Sequence, residues 1–194
     1  MNVLLVSNAA LWVVLIVLTV VVAALMRQLG VLHERISPAG VVNAAKGVKV
    51  GELAPALTAA AIDGRMVAIG GARSDARSQL LLFVSPTCPI CKTLLPVAKR
   101  ARESEQARLE IVLSSDGEGA AQQEFVAAEG LAAFPYLVSG PLGISYQVSR
   151  LPFAALIDAT GVLRARGVLN SSSQLDRLLD AHRRGEAALQ DAIE

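Results

Sequence analysis

The chain of 194 residues carries 18 Lys and Arg against 17 Asp and Glu, a formal net charge of +1, and 53% hydrophobic residues. That size allows one ordinary domain plus an appendage. Balanced charge, with no surface of interleaved aromatic and basic residues, excludes a nucleic-acid-binding class.

The first predicted element is apolar. No charged side chain occurs before Arg27, and Ala9 to Met26 is apolar except for Thr19. At about 1.5 Å per residue this run reaches roughly 27 Å, close to the thickness of a bilayer core. It predicts a single transmembrane helix, an anchor over residues 1–27. A secretory signal peptide is the rival account, but there is no basic n-region, the run exceeds the usual length of about 7–15 residues, and no convincing small-x-small site follows. A buried helix of a soluble domain would show a polar face, and this run shows none. Trp12 could sit at a membrane interface. Arg27, Arg35, Lys46 and Lys49 follow the helix and no Lys or Arg precedes it. By the positive-inside rule, that keeps the rest of the chain in the cytoplasm. Residues 28–49, interrupted by Gly30, Pro38, Gly40 and Gly47, read as a solvated linker.

A folded domain is expected over residues 50–184. Ile62-Asp63-Gly64-Arg65-Met66-Val67 predicts a hairpin, because Gly64 allows a positive φ between two short strands. Arg73 to Ser78 is a polar loop. Gln79-Leu80-Leu81-Leu82-Phe83-Val84, a continuous apolar run bounded by a proline-containing turn, predicts a buried strand. Pro86-Thr87-Cys88-Pro89-Ile90-Cys91 comes next and holds the only two cysteines. After it Leu94, Val97, Ala98 and Ala101 continue the helical spacing from Ile90, and the helix should fade by about Ala107.

The cysteine pair therefore sits at a helix N-terminus. First-turn N–H groups lack intrahelical partners and the helix dipole favours negative charge there, so Cys88 is held partly as thiolate and becomes the nucleophile. Cys91, three residues on and on the same face, is placed to close a disulfide and to act as the resolving thiol. Pro89 suits the start of the helix, where its missing N–H would have been an orphan. Half a zinc site is the competing reading of C-x-x-C. No other cysteine exists, and His33 and His182 lie far off in sequence beside no other ligand.

Downstream, Leu109 to Leu113 predicts another buried strand. A helix carrying Ala121, Phe125 and Ala128 follows, closed by Gly130. Phe134 to Val138 predicts a short strand, and Gly140 to Arg150 leads to Pro152. Leu156 to Leu163 predicts a hairpin with Gly161 in its turn. Ser171-Ser172-Ser173-Gln174 has the spacing of a capping box opening a last helix, in which Leu175, Leu178, Leu179 and His182 share a face. His182 fits a helix-end residue beside the C-terminal dipole. Residues 185–194 are expected to be a polar, frayed tail. At low resolution the order is β-β-α-β-α-β-β-α, a layered α/β domain.

These motifs resemble the thioredoxin fold. Pro96 matches the proline that kinks the active-site helix of that family. Leu151-Pro152, followed by Phe153-Ala154-Ala155-Leu156-Ile157, is similar to its cis-proline site. Val50 to Pro55 and the hairpin resemble the branch holding peroxiredoxins and the membrane-anchored TlpA and ResA reductases. The resemblance implies an α/β fold with a central mixed sheet flanked by helices, behind a single transmembrane helix. It further implies a cis Pro152 that, with Leu151, Pro89 and Ile90, shapes the active site, and a groove pairing a substrate's extended chain near Leu151.

Leu82-Phe83-Val84-Ser85-Pro86-Thr87-Cys88-Pro89-Ile90-Cys91-Lys92-Thr93-Leu94-Leu95-Pro96, behind an N-terminal anchor, is similar to the MauD family of methylamine-utilisation proteins. This likeness spans nearly the whole chain. It implies a thiol–disulfide protein of the inner membrane with its domain in the periplasm, against the positive-inside charges. The implied partners are the small subunit of methylamine dehydrogenase, which needs disulfides and a quinone made from tryptophans, and an unidentified redox-recycling protein. No cofactor beyond a Cys88–Cys91 disulfide is expected.

Three departures from ordinary thioredoxins bear on mechanism. Thr87 replaces the tryptophan before the first cysteine, Leu82 stands where thioredoxins bury a carboxylate, and Leu94 does not supply the glutamate found near this point in ResA-type proteins. Slow deprotonation of Cys91 follows, which favours an oxidase or isomerase over a general reductase. Among the rivals, a peroxiredoxin fits Ser85 but not Leu81. A copper carrier of this fold favours a longer cysteine spacing and a nearby histidine. A chaperone for the dehydrogenase subunit would tolerate Cys-to-Ser changes, and apocytochrome c is the alternative redox client.

Overall fold

The computed structural model describes residues 7, 8, 10–22, 48–186 and 189–193. The chain divides into two compact units, Met1–Val41 and Val42–Glu194. In the first, residues 10–22 are helical (α1), with Thr19 Oγ1 donating to the Leu15 carbonyl at 2.8 Å. Its large apolar side chains, Leu11 to Val22, are exposed. The expected anchor runs past this helix at both ends, and most of the expected linker lies outside the described residues. Among the described residues, no helix is long and apolar enough to cross a membrane.

The second unit opens with an antiparallel hairpin, β1 (Leu57–Ala60) and β2 (Met66–Ile69). Gly64 takes a φ of 84° in its turn, and Asp63 accepts from the Arg65 backbone N–H at 3.0 Å. The succession is then β3 (Ser78–Phe83), α2 (Pro89–Glu105), β4 (Leu109–Ser115), α3 (Gly119–Ala128), β5 (Tyr136–Val138), α4 (Gly140–Ser145), β6 (Phe153–Ile157), β7 (Leu163–Val168) and α5 (Ser172–Arg184). Five strands form one mixed sheet in the order β5-β4-β3-β6-β7. β3 pairs in parallel with β4 and antiparallel with β6. Each strand expected singly is present, including β3 and β5, which the condensed order merges away; the helix α4 is the element added.

β3 is central because both its faces are apolar. Leu80 and Leu82 pack with Leu94, Leu95 and Ala98 of α2 and with Leu175 and Leu178 of α5. Leu81 and Phe83 point the other way, toward Leu142, Tyr146 and Phe153. Each such side chain, taken fully out of water, contributes about 1.5–3 kcal/mol of transfer free energy.

Three expectations need correction. The 140–150 segment contains α4, capped by Ser139 Oγ, which accepts from Leu142 N–H at 3.3 Å. The capping box at α5 does not close. Ser171 is the N-cap, but its hydroxyl bonds Ser173 Oγ, and Gln174 instead accepts from Asn170 N–H at 2.6 Å and donates to the Ile193 carbonyl at 3.0 Å. The tail is not frayed where it is described: Leu189 and Ile193 are buried in the core, and the Gln190 amide accepts from Arg166 N–H at 2.9 Å and donates to the Arg166 carbonyl at 3.0 Å. His182 lies in the last turn of α5, as expected, and is half-buried there. Its Nδ1 lies 3.8 Å from Glu105 Oε2 between α5 and α2, and both atoms are buried without a hydrogen bond among the described residues.

Candidate active site

Strand pairing brings the sequence-predicted site residues to one end of the sheet. β3 runs toward the cysteines, and Val84 N–H extends its ladder to the Ser114 carbonyl at 2.8 Å. A tight turn follows, in which the Ser85 carbonyl accepts from Cys88 N–H at 3.1 Å. β6 runs the opposite way, so the residues just before it, Leu151 and Pro152, arrive at the same end. The Leu151–Pro152 peptide bond is cis. Pro152 is buried, and Leu151 packs against the apolar clusters on both faces of the sheet.

Cys88 is the N-cap of α2, with φ −93° and ψ 109°, and Pro89 is the first helical residue. The Cys88 sulfur accepts from Cys91 N–H at 3.2 Å. It therefore occupies the place of a capping oxygen and receives an otherwise orphaned first-turn donor, an environment that favours a sulfur anion. Cys88 and Cys91 are joined in a disulfide with Cα atoms 5.3 Å apart. Their surroundings differ: Cys88 is half-buried, Cys91 has no exposed surface, and Ile90 between them is 42% exposed. A partner thiol can reach only Cys88. Pro96 lies inside α2 on its exposed side.

Among the described residues, no buried carboxylate stands behind Cys91. Leu82 is fully buried in the same cluster as Cys91. Glu105 is the buried carboxylate among the described residues, and it lies 14 positions along α2, about 21 Å away at about 1.5 Å per residue. Burial raises the Glu105 carboxyl from 4.5, against the pull of Arg183 and Arg108. The sequence pattern did not expose one more feature of this end of the sheet. A groove of about 710 Å³ opens against α4, and Ser114, Ile144 and Leu151 help to line it.

No protein-family model matches the chain. The methylamine utilization protein MauD of Paracoccus denitrificans is 39% identical over 184 residues, covering 95% of this chain and 91% of that protein. MauD of Methylorubrum extorquens is 39% identical over 190 residues, covering 98% and 92%. Among solved structures, the thioredoxin domain of a thiol-disulfide oxidoreductase from Bacteroides vulgatus superposes with a TM-score of 0.60 at 16% identity, covering 72% of this chain and 99% of that one. A secreted Mycobacterium tuberculosis disulfide oxidoreductase homologous to E. coli DsbE gives 0.54 at 21% identity, covering 64% and 95%. These structures establish a thioredoxin-like α/β fold, and the cysteine pair at its helix N-terminus supports a redox role. With relatives of this identity along nearly its full length, the chain belongs to the MauD family of methylamine utilization proteins.

Proposed function

We propose that the chain is a membrane-anchored thiol–disulfide oxidoreductase that forms or rearranges disulfides in the small subunit of methylamine dehydrogenase. Its redox domain faces the periplasm, and its only redox group is the Cys88–Cys91 disulfide. One observation carries the reading: Cys88, half-buried at a helix N-cap, is disulfide-bonded to a fully buried Cys91. The apolar Ala9 to Met26 run supports the anchor.

In disulfide formation a client thiolate attacks Cys88 Sγ, the Cys88–Cys91 bond breaks, and Cys91 leaves with the electron pair and takes up a proton. A second client thiolate then attacks the client sulfur of the mixed disulfide and releases Cys88 as a thiolate, held by the Cys91 N–H. Two electrons pass from client to chain; of the two protons the client thiols give up, one ends on Cys91 and the other goes to solvent, and a separate redox partner removes the electrons. In rearrangement the Cys88 thiolate opens a client disulfide and is displaced by another client thiol, with no net electron transfer. Pro89, Ile90, Leu151 and Pro152 shape the surface that the client meets.

The test is the reduction potential of the full chain, equilibrated with glutathione. A value well above the thioredoxin range of about −270 mV supports disulfide formation or rearrangement, and one at or below it indicates a reductase. Cys91→Ser should trap the dehydrogenase small subunit as a mixed disulfide at Cys88. Full maturation by a Cys88→Ser chain would instead indicate a chaperone. Labelling of cysteines substituted into the 50–184 domain, from outside intact spheroplasts, tests the periplasmic orientation.

A further inference from the structure

The groove at the cysteine end of the sheet lies on the face away from α2. It runs between the ends of β3 and β4, helix α4 and the 147–151 loop, with Phe83, Gly143, Ile144, Val148 and Leu151 supplying apolar wall. Its volume of about 710 Å³ falls in the range of about 300–1,000 Å³ that binds side chains and small molecules. Ile144 is 66% exposed, an apolar side chain left to solvent.

Ser114 adds a second, independent feature. Alternation along β4 sends Ile111 and Leu113 toward α2, and Val112 and Ser114 toward α4 and the groove. Ser114 has no exposed surface, and its hydroxyl has no hydrogen-bond partner among the described residues. A buried hydroxyl left unpaired costs about 1–3 kcal/mol. The groove thus combines apolar walls with one polar atom in need of a partner. It reaches Val84, four residues before Cys88, and Leu151, the residue before the cis-proline.

We propose that this groove receives a tyrosine or tryptophan side chain of the client polypeptide, flanking the client cysteine that reacts with Cys88. The ring lies against Phe83, Ile144 and Leu151, and its hydroxyl or indole N–H donates to Ser114 Oγ. An aliphatic side chain would fill the walls but leave Ser114 unpaired, and a charged one would meet Asp116 or Arg150, which also line the groove, but leave the apolar walls at Phe83, Ile144 and Leu151 uncovered. This assignment rests on the redox reading and adds a client preference to it.

The experiment uses the full chain in its disulfide form and short dithiol peptides differing at one position beside the cysteine: Tyr, Trp, Phe or Ala. The readout is the second-order rate constant for peptide oxidation in a single turnover. Tyr and Trp peptides should react faster than the Ala peptide by about 10-fold or more, with Phe between them. Gly143→Leu should bring these ratios close to one, because Gly143 lines the groove and a Cβ there meets nothing within 4 Å, so a larger side chain is added to the wall without a clash. Ser114→Ala should remove the advantage of Tyr over Phe and keep that of Phe over Ala. Equal rates for all four peptides, or a Tyr preference that survives both substitutions, would overturn the groove assignment and leave the redox reading standing. No oxidation of any peptide would overturn both.

Discussion

Phe83 and Phe153 stand opposite each other in the antiparallel β3–β6 pair, with ring centroids 6.0 Å apart and planes at 71°. The chain leaves Phe83 toward Cys88 and reaches Phe153 from Pro152. The relation between the cysteine turn and the proline turn is therefore fixed by one rung of sheet and an edge-on aromatic contact. Phe153→Ala should cost about 3–5 kcal/mol, as for buried Phe truncations generally. It should also slow exchange at Cys88 beyond what a matched core truncation on α5, such as Leu178→Ala, produces. Urea denaturation and single-turnover kinetics on both variants check this.

Leu82 sits in the apolar cluster that encloses Cys91. With no acid there to accept its proton, reduced Cys91 should resolve a mixed disulfide at Cys88 slowly. Leu82→Asp should speed that resolution and destabilise the fold by about 3 kcal/mol or more, the cost of burying a polar group in a packed core. Release of glutathione from the Cys88 mixed disulfide is the measurement. An unchanged rate in Leu82→Asp would show that Cys91 finds its base elsewhere.

Burial of Glu105 and of His182 makes stability depend on pH in two opposite senses. Burial raises the Glu105 carboxyl from 4.5, so the folded chain keeps a proton that the unfolded chain has lost. That contribution is complete below 4.5 and is lost as pH rises past it. Burial first, and then Arg108, lowers the His182 imidazole from 6.5. The unfolded chain therefore binds a proton that the folded one refuses, and stability falls as pH drops below 6.5. Arg183, whose Nε lies 3.5 Å from Glu105 Oε1, faces the same pair. In urea midpoints followed across this window, Glu105→Gln should remove the downward slope above 4.5, and His182→Gln the loss below 6.5.

Gly161 closes the β6–β7 hairpin at φ 88°, and a Cβ there would come within 2.5 Å of the Gly71 carbonyl carbon. Both the left-handed backbone and the backbone neighbour oppose a side chain. Gly161→Ala should cost about 2 kcal/mol or more. Its urea midpoint should fall with the slope of the transition unchanged. Gly64, at φ 84° with nothing within 4 Å of its Cβ position, should lose less on the same change.

The sequence made the centre of this fold legible because its pattern there is local. The unbroken Leu80 to Phe83 run requires burial on both faces, and Gly64 and Gly161 mark turns that need positive φ. Cys88 and Cys91 could be placed at a helix start because Ile90, Leu94, Val97 and Ala98 carry the helical period. What stayed hidden depends on partners distant in sequence. Gly140 and Gly143 disguise α4, which is held by the Ser139 cap and by Tyr146, whose hydroxyl donates to the Pro55 carbonyl at 3.2 Å. Gln174 had the spacing of a capping residue but spends its amide on Ile193. Ile193 finds room because Gly167 has no side chain to occupy the same space. Ser114 looked like one more residue at a strand end, and its unpaired hydroxyl gains meaning only beside α4.

The pairing of Gln190 with Arg166 bears on self-association. β7 is an outer strand, and the backbone N–H and carbonyl of Arg166 face away from β6. An unpaired rung of this kind invites strand addition from a second molecule. The Gln190 amide satisfies donor and acceptor together and imitates the next strand with one side chain. On the opposite side, three-residue β5 is met by the hairpin through the Ala61–Leu137 bridge and the Ile62 N–H to Tyr136 carbonyl bond. At these rungs both borders of the sheet are thus occupied by the chain's own groups, and a second copy of the domain would meet side chain and hairpin there in place of an open ladder.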